Sequence, residues 1–149
     1  EKALVEIIAE ATGCPTITTA QAITQAFDQA GIKKLVLISP YVQSTNQLEV
    51  NYLSETGYKV LHEVGLGLET HAYAEVTPQA WKAVVKENSR ADADGYFLSC
   101  TNTRMIEAIS DLERDLGKPV INSNQATLWA CLKKLGIHHT DPRLGRLFH

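Results

Sequence analysis

Cys100 stands where an apolar run gives way to polar residues. The segment Asp94-Gly95-Tyr96-Phe97-Leu98-Ser99 reads as a buried strand, and Cys100-Thr101-Asn102-Thr103-Arg104 follows it just before an apolar-periodic stretch. A thiol at such a handover faces the free N–H groups of a helix start, which together with the helix dipole favour thiolate over thiol. Cys100 is therefore a candidate nucleophile or proton carrier. A lone cysteine is more often a small buried hydrophobe, so its neighbours in the fold decide the matter.

Those neighbours follow from the other strand ends. Thr18-Thr19, Ser39-Pro40-Tyr41, the 65–76 loop, Ser99-Cys100-Thr101-Asn102 and Asn122-Ser123-Asn124 supply hydroxyls, amides, one phenol and one thiol; no carboxylate or lysine stands at the three clearest ends. Neutral donors of this kind, set at helix N-termini, suit the binding of carboxylates. The implied ligand is a small anion. Tyr41 can donate to a carboxylate or an enolate oxygen, and backbone N–H groups after Cys100 can cradle an oxyanion; as a structural residue, Tyr41 would only bridge two loops. Ser39, Thr101 and Asn102 complete the binding candidates. His71 is the one histidine placed to partner Cys100, against the plainer reading of a loop histidine in solvent. Cys14 and Cys131 read as structural, Cys131 on an apolar helix face beside Leu128 and Leu132.

Other chemistries lack their anchors. The chain has no GxSxG elbow, no P-loop and no GxGxxG after its first strand, and Gly65-Leu66-Gly67 is only a two-glycine fragment of a phosphate loop. It has no CxxC or HxxxH pattern, so a bound metal is not expected. A net charge of -3 with scattered basic residues argues against nucleic acid and anionic membranes as partners. No apolar run approaches the roughly 18 to 20 residues that span a bilayer. Three cysteines without close pairing fit a reducing compartment, and the cytoplasm is the expected location.

The elements that must position these residues alternate regularly. After a helix over Lys2–Ala11, Thr16–Thr18 is a short strand candidate, and Ala20–Ala30 carries Ile23, Ala26 and Phe27 at helical spacing before Gly31 stops it. Leu35–Ile38 is apolar throughout, as strands buried on both faces of parallel sheets are. Gln43–Glu55, with Leu48 and Tyr52 on one face, predicts a helix, and Tyr58–Val64 a strand. The 65–76 stretch is long for a connection and reads as a functional loop or lid. Thr77-Pro78 opens a helix through Trp81, Val84 and Val85. A helix over Met105–Leu116, a strand over Lys118–Ile121 and a last helix capped by Ser123 or Asn124 follow.

This alternation predicts one α/β lobe over residues 1–149: an open, mostly parallel, Rossmann- or flavodoxin-like sheet with helices on both faces. Ligands of such folds bind outside the carboxyl ends of the strands. Residues 138–149 read as an extended tail packing on something else. The chain opens at Glu1 directly into a helix, as a polypeptide missing its beginning would.

Ser39-Pro40-Tyr41, Gly65-Leu66-Gly67-Leu68, the run from Ala93 to Asn102, and Gly117-Lys118-Pro119-Val120-Ile121-Asn122-Ser123-Asn124 together resemble the aspartate/glutamate racemase superfamily. The branch they are most similar to is that of maleate cis–trans isomerase and arylmalonate decarboxylase, over about Gly13 to Ile137. The resemblance implies two similar lobes with the active site between them. Racemases and isomerases of this kind use one cysteine from each lobe; Cys100 matches the second lobe's, and the first lobe's has no counterpart here. A protein longer by about 90 residues is implied, with an N-terminal lobe as partner of this one.

In the isomerase branch a thiolate adds to the double bond of the dianion, rotation follows, and elimination releases fumarate. In the decarboxylase branch a cysteine at the Cys100 position protonates the enolate left by loss of carbon dioxide. The resemblance thus implies a cofactor-independent isomerase of a small dicarboxylate, with a decarboxylase-like lyase or an Asp/Glu-type racemase as alternatives, and an inactive lobe when isolated. Tyr41 matches a tyrosine that contacts substrate carboxylate. The branch places an asparagine in the loop after the GLG-type strand end, where this chain has Glu69-Thr70-His71. A reading of another class, a periplasmic-type small-molecule binding lobe, shares the Ala-Asp-Gly and Lys-Pro-Val-Ile-Asn runs. Self-association into a homo-oligomer stays open.

Overall fold

In the computed structural model, which describes residues 2–149, the strand Lys34–Ser39 (β1) is buried on both faces. Its alternation sets the layers. Leu35 and Leu37 point into one apolar cluster with Phe27, and Val36 and Ile38 into another with Trp81. The strands Gly95–Leu98 (β3) and Val120–Asn122 (β4) divide likewise: Phe97 and Ile121 face the Phe27 side, Tyr96, Leu98 and Val120 the Trp81 side. Each fully buried large side chain contributes about 1.5–3 kcal/mol of transfer free energy.

With Lys59–Gly65 (β2) the sheet has the order β2-β1-β3-β4, all parallel. Five helices connect or flank it, α2 (Thr19–Ala30), α3 (Gln43–Glu55), α4 (Pro78–Glu87), α5 (Ile109–Leu116) and α6 (Ser123–Lys134), while α1 (Lys2–Thr12) precedes them and buries none of its residues. Side chains of α2, α3 and α6 pack on the Phe27 cluster, and those of α4 and α5 on the Trp81 cluster, so both faces are covered. The chain leaves β1 for the β2 edge and then returns past β1 to β3. The crevice between the carboxyl ends of β1 and β3 is therefore the topological switch point.

Local signals hold where the backbone obeys them. Gly31 ends α2 with φ +70°, and Thr77 caps α4 by accepting from the Ala80 N–H at 3.2 Å. Thr16–Thr18 is not a strand: Thr18 instead caps α2, its hydroxyl accepting from the Gln21 N–H, because a side-chain acceptor satisfies an N–H that the helix cannot. The cap of α6 is Asn122, one residue earlier than expected. The 65–76 segment contains a 3-10 helix, Thr70–Glu75, and another 3-10 turn, Met105–Ala108, precedes α5.

Two further expectations need correction. Cys131 and Leu128 lie on the exposed face of α6, since Ala126 and Ala130 are the residues that face inward. The last residues are not an extended arm: they fold into 3-10 turns at Pro142–Leu144 and Arg146–Phe148, and Leu147 and Phe148 are buried in the Phe27 cluster. The apolar pair drives this. Glu113 secures it by accepting from the Arg146 N–H at 2.7 Å.

Candidate active site

The Cys100 loop is held from the side of α6. The Cys100 N–H donates to Ser123 Oγ at 3.2 Å, and Asn124 Nδ2 donates to the Thr101 carbonyl at 3.0 Å. Cys100 itself has φ +133°, the only non-glycine residue with positive φ among those described. Such a conformation stores backbone strain and persists only where surrounding contacts over-determine it. It turns the chain so that the Asn102 N–H points back at Cys100 Sγ, 3.3 Å away. The donor at sulfur is thus a loop amide rather than a helix N-terminus, because five residues separate Ser99 from the 3-10 turn at Met105.

The opposite side is built on β1. Ser39 is fully buried; its Oγ donates to Asn46 Oδ1 at 2.6 Å and accepts from the Tyr41 N–H at 3.2 Å. Asn46 also donates to Glu63, which Gln43 bonds as well. The Gly65-Leu66-Gly67-Leu68 run brackets the same loop: the N–H groups of Leu66, Gly67 and Leu68 donate to the carbonyls of Ser39, Tyr41 and Pro40. Gly65 is required there, since a Cβ would sit 2.5 Å from the Tyr41 carbonyl oxygen. These glycines place a phenol and cradle no phosphate. The Tyr41 ring packs edge-on against Tyr73, with centroids 5.6 Å apart.

So positioned, the Tyr41 side chain lines one cleft with Cys100 and Ser99, near enough for both to shift its proton equilibrium. Burial pushes the phenol well above its ordinary pKa, Cys100 adds to this, Glu49 adds a little more, and Ser99 opposes. Tyr41 remains a donor throughout the physiological range.

Around these groups lies a cleft of about 400 Å³. Ile23, Leu48, Leu53 and Phe97 form its apolar wall; Thr19, Tyr41, Thr45, Glu49, Ser99, Cys100, Thr101 and Ser123 supply polar groups. No lysine, arginine or histidine lines it. Cys100 is 6% exposed there. Among the described residues no group of three or more histidine, cysteine, aspartate or glutamate side chains is placed to hold a metal ion.

Of the residues singled out from sequence, Cys100, Tyr41 and Thr101 converge on this cleft. Ser39 stands beneath it and shapes the Tyr41 loop. Asn102 contributes its N–H, while the residue is exposed and not part of the lining. His71 is exposed in the Thr70–Glu75 turn and does not line the cleft. Glu49 was not anticipated. Thr45, Leu48, Glu49 and Tyr52 recur at helical spacing and share the face of α3 that lines the cleft, a stripe already signalled by Leu48 and Tyr52. Leu48 is 68% exposed, so this face lies open rather than in the core.

A family model described as arylmalonate decarboxylase matches residues 1–148. An arylmalonate decarboxylase from Bordetella bronchiseptica is 29% identical over 156 residues, covering 98% of this chain and 62% of that protein. A maleate isomerase from Pseudomonas putida is 30% identical over 135 residues, covering 89% of this chain and 54% of that protein. The chain thus spans between half and two thirds of the length of these relatives. The crystal structure of a Cys-to-Ala variant of maleate isomerase Iso from Pseudomonas putida S16 with maleate superimposes with a TM-score of 0.91 at 25% identity, covering 99% of this chain and 60% of that one.

Proposed function

This chain belongs to the arylmalonate decarboxylase family, and from that membership we propose that it carries one wall of a cofactor-independent active site that isomerises a small dicarboxylate of the maleate type. The observation that carries this reading is the surroundings of the Cys100 sulfur. It lies at the switch point of the sheet, in a cleft, with the Asn102 N–H directed at it and the Tyr41 phenol lining the same cleft. Both are donors suited to negative charge on sulfur.

The chemistry follows from these groups. The Cys100 thiolate adds to one alkene carbon, forming a C–S bond while the π pair moves onto the neighbouring carbon and into its carboxylate. Rotation about the new single bond follows. The pair then returns, the C–S bond breaks, and the trans isomer leaves with the thiolate restored. Hydroxyls of Tyr41, Thr101 and Ser123 and the N–H groups of this loop are the donors available to substrate carboxylates, a fitting set where no cation lines the wall. We further propose that residues outside this chain supply the facing wall, a reading supported by the greater length of the relatives. Free Cys14 and Cys131, both exposed, fit a reducing cytoplasm.

One observation favours a second reading. The wall formed by Ile23, Leu48, Leu53 and Phe97 offers an aromatic or alkyl substituent an apolar surface, as decarboxylation of a substituted malonate would need. The test is to incubate the full-length protein with maleate and, separately, with phenylmalonate. Fumarate appearing by proton NMR supports isomerisation; carbon dioxide released from phenylmalonate without fumarate from maleate replaces it by decarboxylation.

A further inference from the structure

Three consecutive side chains, at the end of β4 and the start of α6, each bond a backbone group of the chain around Cys100. Asn122 Nδ2 donates to the Leu98 carbonyl at 2.9 Å, Ser123 Oγ accepts from the Cys100 N–H at 3.2 Å, and Asn124 Nδ2 donates to the Thr101 carbonyl at 3.0 Å. The first two hold the chain up to the sulfur. Among the described residues, the Asn124 bond is the only hydrogen bond that ties residues 101–103 to the rest of the fold. The others made there stay within the loop, from the Asn102 N–H to Cys100 Sγ and from the Thr103 hydroxyl to the Cys100 carbonyl.

The Thr101 carbonyl and the Asn102 N–H are the two ends of one peptide unit. That unit is planar, and in its trans form carbonyl and N–H point in opposite directions; no cis peptide occurs among the described residues. Fixing the carbonyl therefore fixes the N–H. Asn124 holds one end of the plane against α6, and the other end meets Cys100 Sγ at 3.3 Å. The two bonds run in one direction through the peptide, so each polarises the other. Cys100 has φ +133°, a conformation that surrounding contacts must impose, and release of the Thr101 carbonyl frees the loop to relax from it.

We propose that Asn124 is a positioning residue that, through the peptide joining Thr101 to Asn102, aims the Asn102 N–H at the Cys100 sulfur. This role deepens the one proposed for Cys100 and rests on it. Asn124 does not line the cleft, so its side chain reaches the reacting group only through that peptide.

Two variants test it in the full-length protein. Asn124→Ala removes the donor. Asn124→Asp sets a carboxylate oxygen against the Thr101 carbonyl and turns the peptide away, yet it places a negative charge in the first turn of α6, which has no acidic residue there and whose dipole favours one. The kcat on maleate, or on phenylmalonate if that is the substrate, should fall about tenfold in the alanine variant and further in the aspartate variant, with KM within about twofold. The urea midpoint of Asn124→Asp should equal or exceed that of wild type. Hydrogen exchange, followed by mass spectrometry, should speed up about tenfold or more at the peptide carrying the Asn102 amide and not along α6. Unchanged kcat or unchanged Asn102 exchange in both variants overturns the proposal, as does a urea midpoint of Asn124→Asp that falls along with kcat, which marks a merely structural role. Cys100→Ala, measured alongside, separates the two readings. Turnover retained there overturns the role of Cys100 itself; its loss beside wild-type kcat in the Asn124 variants overturns the positioning role alone.

Discussion

Tyr41 and Cys100 line one cleft at the gap between the carboxyl ends of β1 and β3, the two central strands of the sheet. Neither residue reaches that gap by local preference. Tyr41 is fixed by Ser39 and the Gly65–Leu68 backbone, and Cys100 by Ser123 at the start of α6. That these two side chains share one cleft is therefore an outcome of sheet order.

Removing the Tyr41 hydroxyl should cost activity without unfolding the lobe. Tyr41→Phe keeps the ring against Tyr73 and deletes one donor to a group that carries charge, worth about 1.5–3 kcal/mol, hence a fall in kcat/KM of about 10- to 100-fold. Steady-state kinetics and circular dichroism check this. Unchanged kinetics would remove Tyr41 from the site.

The positive φ of Cys100 predicts an inversion of the usual order of glycine and alanine. Both Cys100→Ala and Cys100→Gly remove the sulfur and should abolish turnover, but only glycine relaxes at φ +133°. The glycine variant should be the more stable of the two by about 1 kcal/mol or more in urea unfolding. An alanine variant of equal or greater stability would show that the loop carries no such strain.

Gly65 and Gly67 should respond oppositely in function. Gly65→Ala drives a Cβ to within 2.5 Å of the Tyr41 carbonyl oxygen, while a Cβ on Gly67 meets nothing within 4 Å. The first should displace the Tyr41 loop, lower activity at least about tenfold and destabilise by about 1–3 kcal/mol. The second should cost about 1 kcal/mol, from its φ of +65°, with activity nearly retained. Comparable loss of activity in both variants would contradict the placing role assigned to Gly65.

Glu113 makes stability depend on pH. It is buried, accepts from the Val120 N–H at 2.9 Å and the Arg146 N–H at 2.7 Å, and has its pKa raised by burial, with both N–H groups opposing. A raised value in the folded state means that its contribution is complete below the ordinary glutamate value and is lost as pH rises through the raised one. Glu49 acts in the same direction. Asp94 and Asp141, both lowered by hydrogen bonds they accept, act in the other and lose their contribution as pH falls. The urea midpoint should thus decline as pH is raised above about 5, and Glu113→Gln should flatten the decline while costing about 1–3 kcal/mol at pH 5, because one backbone N–H then faces an amide NH₂. A decline of unchanged slope in the variant would assign it to other groups.

The succession of elements was legible in the chain itself. Leu35–Ile38 announced a strand buried on both faces, Thr77-Pro78 a helix start and Gly31 a helix stop, because each rests on contacts within a few residues or on alternation along one strand. The position of Cys100 after β3 was legible for the same reason. Less so were residues whose environment comes from elsewhere. On the pattern of α6, Cys131 and Leu128 passed for core, yet Ala126 and Ala130 face inward. The tail looked like a free arm until Leu147 and Phe148 found the Phe27 cluster.

Glu49 marks the boundary most sharply. A glutamate midway along a polar helix reads as solvent-facing, and nothing within a few residues of it says otherwise. Only the order β2-β1-β3-β4, which sets α3 beside the ends of β1 and β3, carries that carboxylate to Ser99 and into the cleft that Tyr41 and Cys100 line. Residue type and spacing determined which groups could do chemistry and which elements bear them. Which groups meet was decided by long-range strand pairing, since hydrogen bonds between side chains some 50 positions apart in sequence exist only once the sheet has closed.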